Sequence, residues 1–364
     1  MKRTYRLLAL VLAMFMVVTM FAGCGKTAPA KESSKAAEPN ASKADEAKAE
    51  PSKAEEKKIK IGISLPTQRE ERWVWDKENF ERLGAELGVE LAIQIADNDA
   101  TKQQSQCENL LAQGIDVLII APHDGKAAGN IIDKAHEAGV KVISYDRLAE
   151  NCDVDLYVTF DSVKVGEMQG EWLMNKVPSG NIVVLAGDPG DSCAVLYNQG
   201  AMNKIQPKID SGEIKLVYDQ KVKDWQPSEA LKHMENALTA NNNNIQGVLA
   251  PNDGTAGAVI QALAAQGLAG KVPVTGLDGE VAAAKRILEG TQGMTVFGDI
   301  RDLGEAAMIA AIKIANKKDP DANQKYNNGK IDVPSVAIGS VLVEKDNLNE
   351  VLIESGFIRE DEIK

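Results

Sequence analysis

An apolar run ends in an acid and a base side by side at Lys141-Val142-Ile143-Ser144-Tyr145-Asp146-Arg147. The run predicts a buried strand, and in an open parallel α/β sheet ligands bind just outside the carboxyl ends of the strands. A carboxylate only accepts hydrogen bonds and a guanidinium only donates them. Asp146 and Arg147 therefore suit a vicinal diol, although the pair alone is equally consistent with a solvated ion pair of little energetic worth.

The same pattern, an apolar run followed by polar side chains, recurs at 157–161, 248–253 and 274–278. From residue 59 onward such runs alternate with stretches of helical periodicity, several of them closed by glycine. Strands that alternate with helices indicate right-handed βαβ units on parallel sheets. We therefore predict two similar α/β lobes, the second of which has strands at 181–186, 214–219, 247–250 and 272–277, with two late strands at 294–297 and 336–343.

The N-terminus has the features of a targeting segment. Three basic residues precede an uncharged apolar run at 7–21, which is short for a membrane span. Phe21-Ala22-Gly23-Cys24 follows and resembles the lipobox of bacterial lipoproteins, in which the cysteine is diacylated. We predict a lipoprotein signal peptide at 1–23 and a lipid anchor at Cys24, which would hold the protein on the extracytoplasmic face of the cell membrane. The alternative is an ordinary cleaved signal.

Residues 24–57 lack the apolar side chains that folding requires and predict a disordered tether. Loss of residues 1–23 would remove 3 of the 41 basic residues and none of the 53 acidic ones, which leaves a net charge of about −15. Such a charge argues against a nucleic-acid partner.

The cysteine pattern indicates neither a disulfide framework nor a zinc site. Cys107, Cys152 and Cys193 are odd in number and contain no C-x-x-C spacing, and Cys107 lies on an apolar helix face, which favours a core position. Asp97-Asn98-Asp99 lacks the glycine and the distant glutamate of a calcium loop. We expect no metal and no cofactor.

Motifs spread over about residues 58–364 resemble the periplasmic-type sugar-binding proteins of ABC importers, and most of all the D-xylose-binding members. They lie at 71–73, 145–147, 160–167, 224–243, 252–253, 262–268, 290–296 and 327–329. The resemblance implies a type I periplasmic binding protein: two Rossmann-like lobes with parallel sheets, joined by three hinge crossings near Asp161, Val296 and Ile338. The lobes would comprise 59–160 with 297–338, and 161–296 with 339–364.

The resemblance also implies a set of sugar-binding residues. Trp225 would stack on the apolar face of the sugar ring, whereas Trp73 is either a second wall or a core residue. Polar contacts are expected from Arg69, Arg72, Asp146, Arg147, Asp161, Asn252 and Asp278. Asp253 is expected to cap the helix that begins at Gly254. The chain departs from the xylose-binding members at Ser162, where they have asparagine, and at Gly298, where they tend to have a lysine donor.

The resulting expectation is a monomeric, lipid-anchored binding protein that takes a monomeric aldopyranose and delivers it to an ABC permease. D-xylose is the first candidate and D-glucose the second. An alternative is a sensor that presents its closed form to a membrane histidine kinase.

Two other classes are disfavoured. A glycoside hydrolase needs a carboxyl group with a raised pKa, and arginine neighbours should lower it. A repressor of the same fold would need a basic DNA-binding module before residue 59, where the signal peptide and tether stand.

Overall fold

The computed structural model describes residues 58–364, so the predicted signal peptide, the anchor at Cys24 and the tether lie outside the described residues. The strands are β1 Lys60–Leu65, β2 Glu90–Ile95, β3 Val117–Ile120, β4 Lys141–Tyr145, β5 Leu156–Phe160, β6 Gly180–Ala186, β7 Ile214–Lys221, β8 Gly247–Leu249, β9 Thr295–Phe297, β10 Gln324–Asn327, β11 Asp332–Ile338 and β12 Val341–Val343. The helices are α1 Glu71–Leu87, α2 Ala100–Ala112, α3 Gly129–Glu137, α4 Ser162–Lys176, α5 Ser192–Asp210, α6 Pro227–Ala240, α7 Asp253–Ala265, α8 Val281–Glu289 and α9 Ile300–Ala315. Two short turns of helix, Lys223–Trp225 and Asn349–Glu354, complete the described elements.

The first lobe is built on a seven-stranded sheet in the order β10-β11-β5-β4-β3-β1-β2. Its neighbouring strands are parallel except for the antiparallel edge pair β10 and β11. Apolar side chains of α1 and α9 pack on one face of this sheet, and those of α2 and α3 pack on the other. The sheet is thus covered on both faces, which suits its nearly continuous apolar strands.

The second lobe contains a parallel sheet in the order β7-β6-β8 and an antiparallel pair of β9 with β12. The prediction of a strand at 272–277 is wrong. This segment joins the neighbouring strands only through two isolated bridges, Val274 with Val248 and Leu277 with Val296. Pro273 has no N–H to donate to a ladder. Gly276 is also confined, since a Cβ there would lie 2.0 Å from a carboxylate oxygen of Asp253.

Three chain crossings join the lobes. They fall at Asp161 between β5 and α4, at 298–299 between β9 and α9, and at 339–340 between β11 and β12. The last crossing divides the predicted strand 336–343 in two, since β11 pairs with β5 in the first lobe and β12 with β9 in the second. The predicted fold class, two α/β lobes with parallel sheets joined by a three-crossing hinge, is confirmed.

Within residues 58–364, no helix has the length and apolarity that a bilayer crossing requires. Cys107, Cys152 and Cys193 are buried free thiols. Cys107 belongs to the apolar cluster between the first sheet and its helices, as predicted from its helical spacing.

Candidate functional site

A cavity lies between the lobes, at the ends of strands from both. We call it the central cavity. Seven of the nine predicted sugar-binding residues line it: Arg72, Trp73, Asp146, Arg147, Trp225, Asn252 and Asp278. Its remaining lining residues are Glu70, Asp191, Cys193, Tyr197 and Leu277. Seven positions dispersed over more than 200 residues of sequence are therefore brought to one place.

Arg69 and Asp161, the other two predicted contacts, do not line the central cavity. Arg69 is one-third exposed; it pairs with Glu70 at 2.5 Å and donates to the backbone carbonyl of Asp224 in the second lobe. Asp161 caps α4 by accepting a hydrogen bond from the backbone N–H of Lys164 at 3.1 Å. Arg69 thus lies at the rim, and Asp161 serves the hinge end of α4.

Arg72 is the centre of a buried ion-pair network in the first lobe. Its Nη1 donates to Asp146 Oδ1 at 2.8 Å, and its Nη2 donates to Asp76 Oδ2 at 3.0 Å. Tyr145 donates its hydroxyl hydrogen to the other oxygen of Asp76. Asp76 is fully buried, and this burial raises its pKa to about 6 in spite of the guanidinium. Because residues 72 and 76 are four apart on α1, they lie on the same helix face, and Asp76 fixes the Arg72 side chain that lines the central cavity.

Trp73 is both a core residue and a wall of the cavity. It packs in the apolar cluster of α1, α9 and the first sheet with 2% of its surface exposed. The guanidinium carbons of Arg72 and Arg147 lie 4.4 and 5.2 Å from its ring centroid. Both guanidinium groups therefore lie over the face of the Trp73 ring, which attracts them by cation–π interaction.

Asp146, Trp225 and Asp278 all adopt left-handed backbone, with φ of 61°, 55° and 104°. Non-glycine residues seldom occupy this region, and such strain is concentrated at functional sites. At Asp146 the conformation is held by its carbonyl oxygen, which accepts from Tyr157 Oη at 2.6 Å, Thr159 Oγ1 at 3.0 Å and Cys193 Sγ at 2.8 Å. Three strained residues therefore converge on one cavity.

A chain of polar contacts joins Arg147 of the first lobe to Trp225 of the second. Arg147 Nε lies 2.8 Å from Asp191 Oδ2, and Trp225 Nε1 donates to the same oxygen at 3.1 Å. The indole of Trp225 rests on Gly187, where a Cβ would lie 2.3 Å from the ring. The glycine is therefore required for the close approach that fixes this indole.

Asn252 and Asp278 face each other from the second lobe, and Asn252 Nδ2 donates to Asp278 Oδ2 at 3.3 Å. The expectation that Asp253 caps α7 is wrong, because Asn252 is the cap: its Oδ1 accepts from the Thr255 N–H at 3.1 Å. Asp253 is the first helical residue, and its carboxylate accepts from the N–H groups of Gly279 and Glu280. It thereby holds the turn that carries Asp278.

Burial raises the pKa of Asp278 well above the ordinary aspartate value, and it also raises the pKa of Asp191. Our expectation that arginine neighbours lower the pKa of the cleft carboxyls is therefore wrong for Asp278. Desolvation outweighs attraction to Arg72, which is the second contribution. A protonated Asp278 can donate as well as accept a hydrogen bond, which suits a neutral hydroxyl.

Sequence reasoning missed Asp191, Glu70, Cys193, Tyr197 and Leu277. Asp146 follows β4 directly, whereas Asp191 lies five residues after the end of β6 and caps α5, so the pattern of polar residues directly after a strand does not single it out. Tyr197 and Cys193 lie on α5, whose helical pattern indicates core positions and gives no sign of the cavity. Within residues 58–364 no three His, Cys, Asp or Glu side chains are grouped so as to hold a metal ion.

The family model described as periplasmic binding protein domain matches residues 61–319. The D-xylose-binding periplasmic protein of Escherichia coli K12 is 44% identical over 307 residues, which cover 84% of this chain and 93% of that protein. The multiple sugar-binding periplasmic receptor ChvE of Rhizobium radiobacter is 35% identical, over 84% of this chain and 92% of its own.

A solved structure with similar architecture is a carbohydrate transporter solute binding protein from Chloroflexus aurantiacus in complex with D-glucose. It superposes with a TM-score of 0.80 at 35% identity and covers 84% of this chain and 98% of its own.

Proposed function

The chain belongs to the periplasmic binding protein family, and from that premise we propose that it captures a monomeric aldopyranose, D-xylose first, between its two lobes. The observation that carries the proposal is the central cavity, in which strained and buried polar residues of both lobes converge around an indole. The proposal includes delivery of the sugar to an ABC permease and no catalysis. The 44% identity to D-xylose-binding proteins supports this choice of sugar.

The chemistry of the lining suits a neutral polyol with one apolar face. Arg72 and Arg147 already have carboxylate partners, so neither is left to neutralise an anionic ligand. Guanidinium groups offer donors and carboxylates offer acceptors, and a sugar hydroxyl uses both. The Trp225 ring offers a surface for the C–H groups of a pyranose. An aldopyranose meets all three requirements.

Isothermal titration with D-xylose, D-glucose, D-ribose and L-arabinose tests the proposal. We expect D-xylose to bind with a dissociation constant on the order of micromolar or lower, because hydrogen bonds to charged groups are each worth about 1.5–3 kcal/mol. D-glucose should follow. Tightest binding of D-ribose, or no binding of any of the four, would overturn the proposal.

We further propose that Cys24 anchors the mature protein to the outer face of the cell membrane by lipid. The motivation is the lipobox-like Phe21-Ala22-Gly23-Cys24 after a short apolar run. In cells fed radioactive palmitate, the parent should be labelled and Cys24→Ala should be released unlabelled or remain uncleaved. Cys107→Ala, which changes a buried core thiol, is the matched control and should stay labelled. A labelled Cys24→Ala protein contradicts the assignment.

Presentation of the closed form to a membrane histidine kinase is the second candidate use of the same sugar-bound state. Recovery of membrane partners with and without D-xylose separates the two uses, because a permease and a kinase differ in size and composition.

A further inference from the structure

The segment 190–193, which leads from β6 into α5 of the second lobe, is bonded to the first lobe along its whole length. The carbonyl oxygen of Gly190 accepts a hydrogen bond from the backbone N–H of Gly125 at 3.0 Å. Asp191 Oδ2 lies 2.8 Å from Arg147 Nε, and both side chains are buried. The first half of the segment therefore joins the lobes by one backbone bond and one buried ion pair.

The second half of the segment makes two more contacts between the lobes. Ser192 Oγ accepts a hydrogen bond from the backbone N–H of Leu148 at 2.7 Å, and the thiol of Cys193 donates to the carbonyl oxygen of Asp146. Ser192 and Leu148 are only 7% and 4% exposed, so their bond is shielded from water. Four consecutive residues of the second lobe thus bond to the first, and we call the segment 190–193 the clasp.

Only part of the clasp lies where it can meet a ligand. Asp191 and Cys193 line the central cavity, whereas Gly190 and Ser192 do not. When the lobes separate, water can bond to the Leu148 N–H, and when they meet Ser192 takes the place of that water. The Ser192 bond therefore stabilises the closed cleft without any contact to the sugar.

We propose that the clasp holds the two lobes together over a bound sugar, and that Ser192 is a positioning residue that sets the affinity for every sugar while it touches none. A bond present only in the closed state shifts the equilibrium toward that state, and a ligand that binds the closed state binds more tightly for that reason. The inference rests on the proposed function and adds to it a residue that governs how long the cleft stays closed. Its loss should act mainly on the rate of sugar release.

Calorimetry and stopped-flow measurement of sugar release with Ser192→Ala test the clasp. The variant leaves the Leu148 N–H buried without its acceptor in the closed form, so D-xylose affinity should fall about 5- to 10-fold and the dissociation rate should rise by a similar factor. Every other sugar that the parent binds should weaken by the same factor, within about 2-fold. Ser335→Ala is the control and should keep the parent's affinity, because Ser335 is a buried serine whose hydroxyl bonds within β11 of the first lobe.

Two further measurements separate closure from a general loss of structure. In urea without sugar, Ser192→Ala should unfold at the same concentration as the parent, since its bond forms only when the lobes meet. At saturating D-xylose, N-ethylmaleimide should label Cys193 faster in the variant than in the parent, because the variant opens more often. Cys107 and Cys152 lie in an apolar cluster of the first lobe and should stay unlabelled in both proteins.

Failure of the clasp and failure of the proposed function give different results. A parent protein that binds no sugar overturns the proposed function. If the parent binds sugar, an unchanged affinity in Ser192→Ala, or a loss confined to one sugar, overturns the clasp and leaves sugar capture in place. A loss of sugar-free stability as large as the loss of affinity also overturns the clasp, because the bond would then exist without a ligand. Equal rates of Cys193 labelling in variant and parent have the same meaning.

Discussion

Replacement of Arg72 by methionine is expected to lower the free energy of unfolding by about 3–5 kcal/mol, the usual cost of removing one partner from a buried ion pair. Arg72 is the ion-pair partner of both Asp76 and Asp146, and these carboxylates are 0% and 3% exposed. Methionine fills similar space but compensates neither charge. Urea unfolding without sugar measures the change.

A matched control lies on the same helix. Arg82 and Glu86 form an i,i+4 pair like Arg72 and Asp76, but their side chains are 50% and 56% exposed. Arg82→Met should therefore cost no more than about 0.5 kcal/mol. Equal losses in the two variants would contradict the role assigned to burial.

The deficit of Arg72→Met should depend on pH, and the sign follows from Asp76. Burial raises the folded-state pKa of Asp76 to about 6, above its ordinary value near 4, and Arg72 opposes that rise. A raised carboxyl pKa contributes stability that is complete below the unfolded-state value and is lost as pH rises through the folded-state value. Without Arg72 the pKa rises further, so the deficit should be smaller at pH 5 than at pH 8. A deficit that grows on acidification would exclude Asp76 as its source.

Trp225→Ala should weaken sugar binding by about 2–4 kcal/mol, roughly 30-fold or more, as for a central aromatic residue of an interface. The substitution removes the proposed stacking surface and also the indole N–H that bonds to Asp191. Trp225→Phe keeps a ring and should lose less. Calorimetry with D-xylose gives the affinities, and circular dichroism gives the fold.

Trp172→Ala is the control for the Trp225 variants. Trp172 is also a buried tryptophan of the second lobe, but it bonds to Glu344 and lies outside the central cavity. We expect it to change stability and leave affinity within about 2-fold. A folded Trp225→Ala protein that binds D-xylose as tightly as the parent would refute stacking.

The positions of strands and helices were largely predictable because apolar periodicity and glycine after helices are local signals. The segment 272–277 was an exception, because its apolar pattern matches that of a strand but the segment forms only isolated bridges. Pro273 lacks an N–H donor, and Gly276 lies against a carboxylate oxygen of Asp253. Polar residues after strands predicted that Asp146 and Asp278 lie close together, and both line the central cavity. This rule did not reveal Tyr197, which lies on α5 and reaches the central cavity only because the two lobes meet there.

The pKa values of the cleft carboxyls were beyond sequence reasoning for a related reason. Proximity of opposite charges can be inferred from motifs, whereas the degree of burial is a property of the assembled lobes. At Asp278 burial dominates, so the direction inferred from arginine neighbours was reversed.

Residues of the central cavity with left-handed backbone conformation limit how far this protein can be stabilised by engineering. Asp278, above all, holds a backbone conformation that a side chain rarely adopts and that glycine adopts without steric cost. Directed evolution for heat resistance alone would reward glycine there, because the exchange releases strain and removes a desolvated carboxyl group. Trp225 would be kept, because it packs in the core of the second lobe and its loss would leave a cavity. The survivors would be more stable but would lack the proposed sugar contact of Asp278, an instance of the trade-off between stability and activity. A ligand-binding screen in every round is what keeps the two properties together.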